Sequence, residues 1–397
     1  MAPIRSVSLA FIAARNSTLR DSCMLIFFSS IEKLLCYIIK DLIISSSEQV
    51  RYHLHPRKKI GFSQHMLLVT AAIIETNGLI LAARRKPGCQ LAGYWEFPGG
   101  KVEADETNEG CLARELSEEF GVQCKIGDFF GDSIYDYGTK RVRLLAYRVQ
   151  HLSGTFQCRD HDRLCWLPAH ELLSLQWAPA DMPFVVKLQE EHQVTATLAY
   201  YQDNAREYIQ ETIDLEFTGQ IRQRFLALLA PDSLVLDLGC GSGRDSRFFL
   251  EAGHRIVAVD PVDAIAESAT EYLGQPVRVQ KAEELEETNT YDGIWACASL
   301  LHIPRSRIEA TFTVICKALK PGGIWYMSFK RGETEYQDYK QRFFNNYTIP
   351  LMEQVLRQYP QLSIIDIYES PSLLRGKVQP WLNILLKKST QAPQITG

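Results

Sequence analysis

The sequence predicts two successive folded modules, an α+β fold on a mixed sheet and then an α/β fold on a parallel sheet, preceded by a leader of different character. Three observations carry this. The turn pair Asn77-Gly78 separates two apolar runs and marks a β-hairpin. From Leu198 onward, apolar strand-like runs alternate with helical segments, the pattern of a parallel sheet. Between the two, residues 189–193 turn polar, which sets a boundary at residue 192. The expected domains are therefore 1–65, 66–192 and 193–397. A chain of 397 residues fits this division, since domains average about 150 residues.

The leader holds an apolar stretch over residues 23–44, but Glu32, Lys33, Lys40 and Asp41 interrupt it. A bilayer span wants about 20 mostly uncharged residues, so no membrane anchor is expected. Arg15, Arg20 and Asp21 stand where a secretory cleavage site would lie. The leader therefore reads as a poorly ordered extension or a mis-assigned start, with Met66 as the working beginning. The first module starts with strands at 67–74 and 79–83, continues through a Gly/Pro-rich loop, Phe97-Pro98-Gly99-Gly100, and enters a helix over 107–120. Further strands run up to Trp166. In the second module, strands are expected at 235–238 and 255–259, and residues 363–367 and 380–386 are strand-like.

Composition narrows the function classes. Hydrophobic residues make up 46% and charged residues 23%, which suits a soluble globular protein and excludes a largely disordered one. Lys and Arg number 43 against 47 Asp and Glu, a net charge of −4 that offers no strong field for grasping a polyanion, so no stable nucleic-acid partner is expected. Ten cysteines without a C-x-x-C pair suit a reducing cytoplasm. Cys158, His161 and Cys165 have a loosely ligand-like spacing but lack a fourth partner.

The first chemical signal begins at Gly100. Five residues lead to Glu106, seven more to Arg114, and Glu115-Leu116-Ser117-Glu118-Glu119-Phe120-Gly121-Val122 follows. Glu115, Glu118 and Glu119 at i, i+3 and i+4 share one helix face. Three like charges stacked this way repel unless a divalent cation neutralises them, and hard oxygen donors select magnesium or manganese. Gly99 and Gly100 let backbone approach closely. These residues satisfy every position of the box G-x5-E-x7-R-E-U-x-E-E-x-G-U, and here the chain resembles the Nudix hydrolases over residues 66–190. The flanking Tyr94-Trp95-Glu96-Phe97-Pro98-Gly99-Gly100-Lys101 resembles their MutT-type branch.

That resemblance implies a mixed sheet with the Nudix helix, and hydrolysis of a nucleoside triphosphate to monophosphate and pyrophosphate. It implies a Gly99 carbonyl ligand beside Glu115, Glu118 and Glu119, with Arg114 pairing Glu106 to brace loop against helix. Arg85 matches a phosphate-contacting arginine, and Glu96 and Lys101 fall in the substrate-binding flank. Asp160 stands where many relatives place a catalytic Glu; either a loop shift brings it in or Glu118 and Glu119 suffice. Trp177-Ala178-Pro179-Ala180-Asp181 resembles the base-facing segment, with Trp177 open to a core role instead. An ionised Asp181 favours a base with an exocyclic amino donor such as cytosine, and a protonated one also admits an oxidised guanine.

The second signal is Val235-Leu236-Asp237-Leu238-Gly239-Cys240-Gly241-Ser242-Gly243, an apolar strand running into a glycine-rich turn. Asp260, after the next strand, suits two ribose hydroxyls. Asp237 would repel a pyrophosphate but suits a ligand with an ammonium group and a sulfonium, the features of S-adenosylmethionine. Tyr291-Asp292-Gly293-Ile294-Trp295-Ala296-Cys297-Ala298-Ser299-Leu300-Leu301-His302 and Leu319-Lys320-Pro321-Gly322-Gly323 extend the pattern. At these residues the chain resembles class I methyltransferases, with their Rossmann-like α/β fold, over about residues 195–390, and the resemblance implies a fourth strand at Tyr291, a fifth after Gly323 and a late hairpin from 363–367 and 380–386. Asp237, Gly239, Gly241, Gly243, Asp260 and Glu283 are the donor-binding candidates, Glu283 on the adenine side or merely at the surface.

For the methyl acceptor, a small molecule is expected. His302 either takes a proton or is a strand-end histidine held locally. Tyr200-Tyr201, Phe329-Lys330-Arg331 and Arg342 form a candidate lid of positive character. The absence of an N-P-P-Y-type tetrad disfavours methylation of DNA amino groups. The whole chain reads as a bifunctional enzyme. Its rival makes one half a nucleotide- or donor-sensing module regulating the other. An RNA-end modifier would need a basic groove, and the sequence offers only Arg57-Lys58-Lys59.

Overall fold

A computed structural model describes residues 66–215, 218–374 and 377–390; the expectation for residues 1–65 lies outside them. The first strand, β1 (Met66–Thr76), turns at Asn77-Gly78 into β2 (Leu79–Arg85). Both turn residues have positive φ, 52° and 74°, the twist that lets a two-residue turn match the strands it joins. β1 pairs in parallel with β5 (Arg141–Ser153), which pairs antiparallel with β4 (Gln123–Asp136). β2 pairs antiparallel with the short β3 (Trp95–Glu96) and with β6 (His161–Pro168). The result is the mixed sheet expected from the sequence.

Helix α1 (Asn108–Phe120) covers one face of this sheet. Thr107 caps it by accepting the Gly110 amide at 3.0 Å, and Gly121 ends it. Cys111, Leu112, Leu116 and Phe120 form its buried stripe, packed on residues such as Ala72, Ile74, Leu81 and Leu145. The carboxylates of the helix lie off that stripe. The sheet's other face is closed by Trp95, Phe97, Phe130, Trp177, Phe184 and Leu188. Helix α2 (Met182–Asp203) supplies Phe184, Val185 and Leu188 to this second layer and then continues without a break. Residue 192, where the sequence places the boundary, lies inside it.

Past α2 come α3 (Ala205–Thr212) and α4 (Gly219–Leu226), then a seven-stranded sheet. Its strands are β7 (Leu234–Leu238), β8 (Arg255–Asp260), β9 (Val277–Val279), β10 (Tyr291–Ala296), β11 (Leu319–Lys330), β14 (Leu362–Leu374) and β15 (Lys377–Lys388). Their order is β14-β15-β11-β10-β7-β8-β9, with the first five in sequence parallel and β15 antiparallel to both neighbours. The order reverses between β7 and β10, so a crevice opens at their carboxyl ends, where ligands bind in doubly wound sheets. Helices α5 (Arg244–Glu251), α6 (Asp263–Leu273) and α7 (Arg305–Ala318) connect the strands. Apolar clusters fill both faces, Trp295 and Phe249 on one and Trp325 and Phe312 on the other, all four fully buried. The fifth strand begins at Leu319, before the Pro321-Gly322-Gly323 expected to precede it. A small hairpin, β12 (Glu335–Gln337) and β13 (Phe343–Asn345), follows β11 and precedes α8 (Ile349–Leu356).

Because Leu116 is fully buried between helix and sheet, Leu116→Ala should destabilise the first module by about 2–5 kcal/mol. Urea unfolding checks this. An unchanged midpoint would contradict the packing of α1 by this face.

Candidate active sites

The glycine-rich loop is stitched to the amino-terminal half of β1. The amides of Thr70, Ala72 and Val102 donate to the carbonyls of Gly100, Pro98 and Leu68 at 2.8, 2.7 and 3.1 Å. A Cβ on Gly99 would lie 2.0 Å from the Thr70 carbonyl oxygen, and one on Gly100 would lie 2.1 Å from the Glu115 carboxyl carbon. Only glycine permits this approach, and it leaves the Glu115 carboxylate resting against bare backbone. Arg114 braces the assembly. Its guanidinium donates to both Glu106 oxygens at 2.9 and 3.1 Å, and also to Glu115 and Glu118 at 3.1 and 3.2 Å. The Glu106 carboxyl is held below its usual range by that hydrogen-bonded pair.

A cavity of about 490 Å³ opens in front of the loop. Arg85, Glu96, Gly99, Lys101, Glu115, Glu119, Asp160 and Asp181 all line it, so the structure brings together residues spread over nearly a hundred positions. Glu118 does not line it: its side chain is 62% exposed and turned to Arg114. Arg85 is clamped on Glu96, with both carboxylate oxygens within 2.8 Å of one guanidinium nitrogen. Asp160 sits at the rim, paired with Lys86 at 2.7 Å, which holds it below the usual carboxylate range.

His161, which the sequence offers only as a loose metal ligand, occupies the centre instead. It is buried, stacked on Phe120, with Nε2 2.9 Å from a Glu96 oxygen and Nδ1 3.8 Å from Glu119 Oε2. Cys158 is exposed and Cys165 sits within β6, and among the described residues no group of three His, Cys, Asp or Glu side chains forms a ready metal cage. Glu119 Oε2 is buried with no hydrogen-bond partner. Burial, reinforced by Glu115, Asp160 and Glu96 against the pull of His161, pushes Glu119 up to about 7. An orphaned carboxylate oxygen in an anionic, oxygen-lined pocket fits a hard divalent cation. Glu115, Glu119 and Gly99 line the cavity, and Glu118 lies at the surface.

The crevice of the second module holds two adjoining cavities of about 120 and 310 Å³. Asp260, at the end of β8, lines the smaller together with Gly239 and Glu283. Its two oxygens accept the Gly241 and Val262 amides at 3.1 and 3.0 Å, yet burial still lifts it to about 6. Asp237 lines the larger. Burial, with Asp245 adding to it, raises it to about 7, while Ser246 donates to it at 2.6 Å. Gly241 and Gly243 line neither of these cavities. Gly241 lies under Tyr208, whose hydroxyl a Cβ there would meet at 2.8 Å, and Gly243 caps α5. Glu283 pairs with Arg307.

Of the candidate lid, Tyr200, Tyr201, Lys330 and Arg342 do line the larger cavity. Phe329 is fully buried in the core and Arg331 pairs with Glu369 at 2.9 Å, so neither takes part. His302 is held locally: Nδ1 lies 2.6 Å from the Phe343 carbonyl and Nε2 3.0 Å from the Tyr201 hydroxyl. Burial presses it down to about 4, so it stays neutral near pH 7.

Residues 65–188 match the NUDIX domain family. The CTP pyrophosphohydrolase of Escherichia coli is 40% identical over 120 residues, 30% of this chain and 89% of that protein. The chain belongs to the Nudix family. An 8-oxo-dGTP diphosphatase of Haemophilus influenzae is 33% identical over 127 residues, 32% of this chain and 93% of that protein. Residues 235–323 match the methyltransferase domain family, so the Nudix domain is fused to a methyltransferase domain. A crystal structure of a Burkholderia thailandensis 1,6-didemethyltoxoflavin-N1-methyltransferase is 24% identical, covers 50% of this chain and 89% of that one, and has a TM-score of 0.43.

Within the Nudix domain, Trp177 belongs to the core: it is buried, donates to the Leu172 carbonyl at 2.7 Å and packs on Phe97. Asp181 is buried, and its Oδ1 accepts the Phe97 amide at 2.9 Å. Burial raises its carboxyl well above the ordinary value despite that hydrogen bond. The unfolded chain therefore ionises Asp181 first, and its contribution to stability falls as pH rises from about 4 toward the raised folded-state value. Asp181→Asn keeps the acceptor and removes the titration. The variant should gain stability over the parent as pH rises from 4 to 7, read from urea midpoints at each pH. Parallel curves would contradict a buried, proton-retaining Asp181.

Proposed function

We propose that the Nudix domain hydrolyses a nucleoside triphosphate to the monophosphate and pyrophosphate with magnesium or manganese, and that the second domain transfers a methyl group from S-adenosylmethionine to a small molecule. The buried Glu119 oxygen without a hydrogen-bond partner, in the 490 Å³ cavity that Glu115 also lines, carries the first half of this reading. Glu115, Glu118, Glu119 and the Gly99 carbonyl would hold the metal. When bound, such ions neutralise phosphate charge and lower the pKa of a coordinated water. Lys101, Lys86 and Arg85 supply positive charge to the polyphosphate from the cavity wall. Glu106 and Arg114 keep loop and helix in register, and Glu96 orients both Arg85 and His161. Asp160, salt-bridged at the rim, serves the reaction only after leaving Lys86.

Asp181 would read the base. Retaining its proton, it presents one donor and one acceptor. That pair matches the N3/N4 edge of cytosine and the O6/N7–H edge of an 8-oxoguanine, whereas the N7/O6 edge of ordinary guanine offers two acceptors. The relatives' named activities, on CTP and on 8-oxo-dGTP, support this pairing. A panel of normal, oxidised and methylated nucleoside triphosphates, followed by pyrophosphate release, tests it. Cytosine or 8-oxoguanine substrates should be favoured over dGTP, and a preference for dGTP would contradict the role of Asp181.

In the second domain, Asp260 would take the ribose hydroxyls, Asp237 the donor's cationic end, and Glu283 the adenine side, with Gly239, Gly241 and Gly243 shaping the loop. The eight cysteines among the described residues are all unpaired, which supports a reducing, cytoplasmic setting. No helix among the described residues is long and apolar enough to cross a membrane. The retained carboxylates of the Nudix box weigh against a purely sensory amino-terminal half, since nucleotide binding alone does not need them.

Glu119→Gln should lower triphosphate hydrolysis by about a hundredfold or more while leaving the affinity for S-adenosylhomocysteine unchanged. Hydrolysis at the parental rate would contradict the metal-site assignment. Asp260→Ala should weaken donor binding by about 1–3 kcal/mol in calorimetry. Unaltered affinity would remove Asp260 from the donor site.

A further inference from the structure

The 310 Å³ cavity shares Tyr201, Tyr208, Gly239, Ala298 and His302 with the smaller cavity of Asp260 and Glu283, so a molecule held in one abuts a molecule held in the other. Its charge is divided. The carboxylates Asp237, Asp245, Glu207 and Glu211, with Arg244 paired to Asp245, lie toward the glycine loop, while the cations Lys330, Lys340 and Arg342 come from the end of β11 and the segment after it. Two of those three cations have partners: two Arg342 nitrogens donate to one Asp338 oxygen at 2.8 and 3.0 Å, and Lys340 donates to the Tyr200 hydroxyl at 2.9 Å. Lys330 has no carboxylate partner among the described residues. Its ammonium sits 3.3 Å from the centre of the Phe344 ring and donates to the Tyr336 hydroxyl at 3.3 Å. Burial, with Arg342 adding to it against the weaker pull of Asp338, holds it down at about 8. A half-desolvated cation held only by aromatic rings and a hydroxyl has room for a directly bound anion.

On the side of the cavity next to Lys330, His302 and Tyr201 are engaged with each other. The Phe343 carbonyl can only accept, so His302 Nδ1 carries the proton and Nε2 accepts from Tyr201. Protonating His302 would place a third cation beside Lys330 and Arg342. The Tyr201 hydroxyl is committed to His302, and burial pushes it up to about 12. Neither His302 nor Tyr201 is available to take a proton from an acceptor, and the cationic side of the cavity favours an acceptor that binds as its anion.

On the reading of this domain as a methyltransferase, we propose that the 310 Å³ cavity is the acceptor site and that the acceptor is a planar aromatic small molecule bound as a conjugated anion. Its charge bears on Lys330 and its ring packs against Tyr200, Phe344 and Trp381. In the transfer, the anionic atom of the acceptor forms a bond to the methyl carbon as the carbon–sulfur bond breaks, and the electron pair of that bond stays on sulfur. The acceptor's proton has already gone to solvent, so none is moved in the step.

The test is calorimetric and needs no turnover. The full chain, saturated with S-adenosylhomocysteine, is titrated with planar aromatic acids and phenols and with their neutral amides and methyl ethers. At least one anion should bind at 1:1 and about tenfold or more tighter than its neutral match. Lys330→Met should remove that preference, Lys330→Arg should retain most of it, and both should keep the parental affinity for S-adenosylhomocysteine, which also reports that they fold. Equal affinity for neutral and anionic members, binding unaffected by Lys330→Met, or no binding by any anion overturns the proposal. Failure of S-adenosylhomocysteine itself to bind instead overturns the donor reading on which it rests.

Discussion

Glu119 keeps a carboxylate oxygen away from water without a donor to satisfy it, within a ring of like charge formed by Glu115, Glu96 and Asp160. Much of the amino-terminal domain serves to hold that arrangement in place. The loop glycines let the backbone pass directly under Glu115, β1 pins the loop, and Arg114 ties Glu106, Glu115 and Glu118 into one network. Positive charge is kept at the walls. Arg85 and Lys86 are both engaged by carboxylates, so the centre stays anionic and available to a dication.

The methyltransferase domain solves a related problem differently. Asp237 and Asp260 are also buried carboxylates, but a hydroxyl and two backbone amides satisfy them, and the sheet delivers both to the crevice where its strand order reverses. Between the two sites runs α2. At 1.5 Å per residue its 22 residues span roughly 33 Å. It begins beside Asp181 in the Nudix cavity and ends with Tyr200 and Tyr201 in the 310 Å³ cavity. Thr197, on the same helix, accepts the Phe343 amide of β13 at 2.8 Å and lines the 120 Å³ cavity. The polar residues 189–193, where the sequence places the boundary, are half-buried positions of this continuous helix; Glu190, for example, accepts the Ser306 hydroxyl.

What was legible in the sequence was whatever rests on local spacing. The hairpin at Asn77-Gly78, the helix with its carboxylates and the glycine turn after β7 follow from turn chemistry and periodicity, and the late hairpin from the resemblance to class I methyltransferases. Side-chain direction was not legible. Spacing put Glu118 on the same face as Glu115 and Glu119, but Arg114 four positions earlier draws it outward. His161 stood as one histidine in a charged run, and only the pairing of β6 with β2 brings it to Glu96 and Glu119. Phe329 and Arg331 flank Lys330, and strand alternation sends them elsewhere. The β12–β13 hairpin that carries Phe344 has strands too short to announce themselves.

The central claim is that Glu115 and Glu119 are crowded together to bind a dication. Anomalous scattering from a crystal of the full chain soaked in manganese tests it most directly. A strong peak coordinated by both carboxylates is the expected result. A map with no peak there, and the two side chains turned to solvent, would contradict the account.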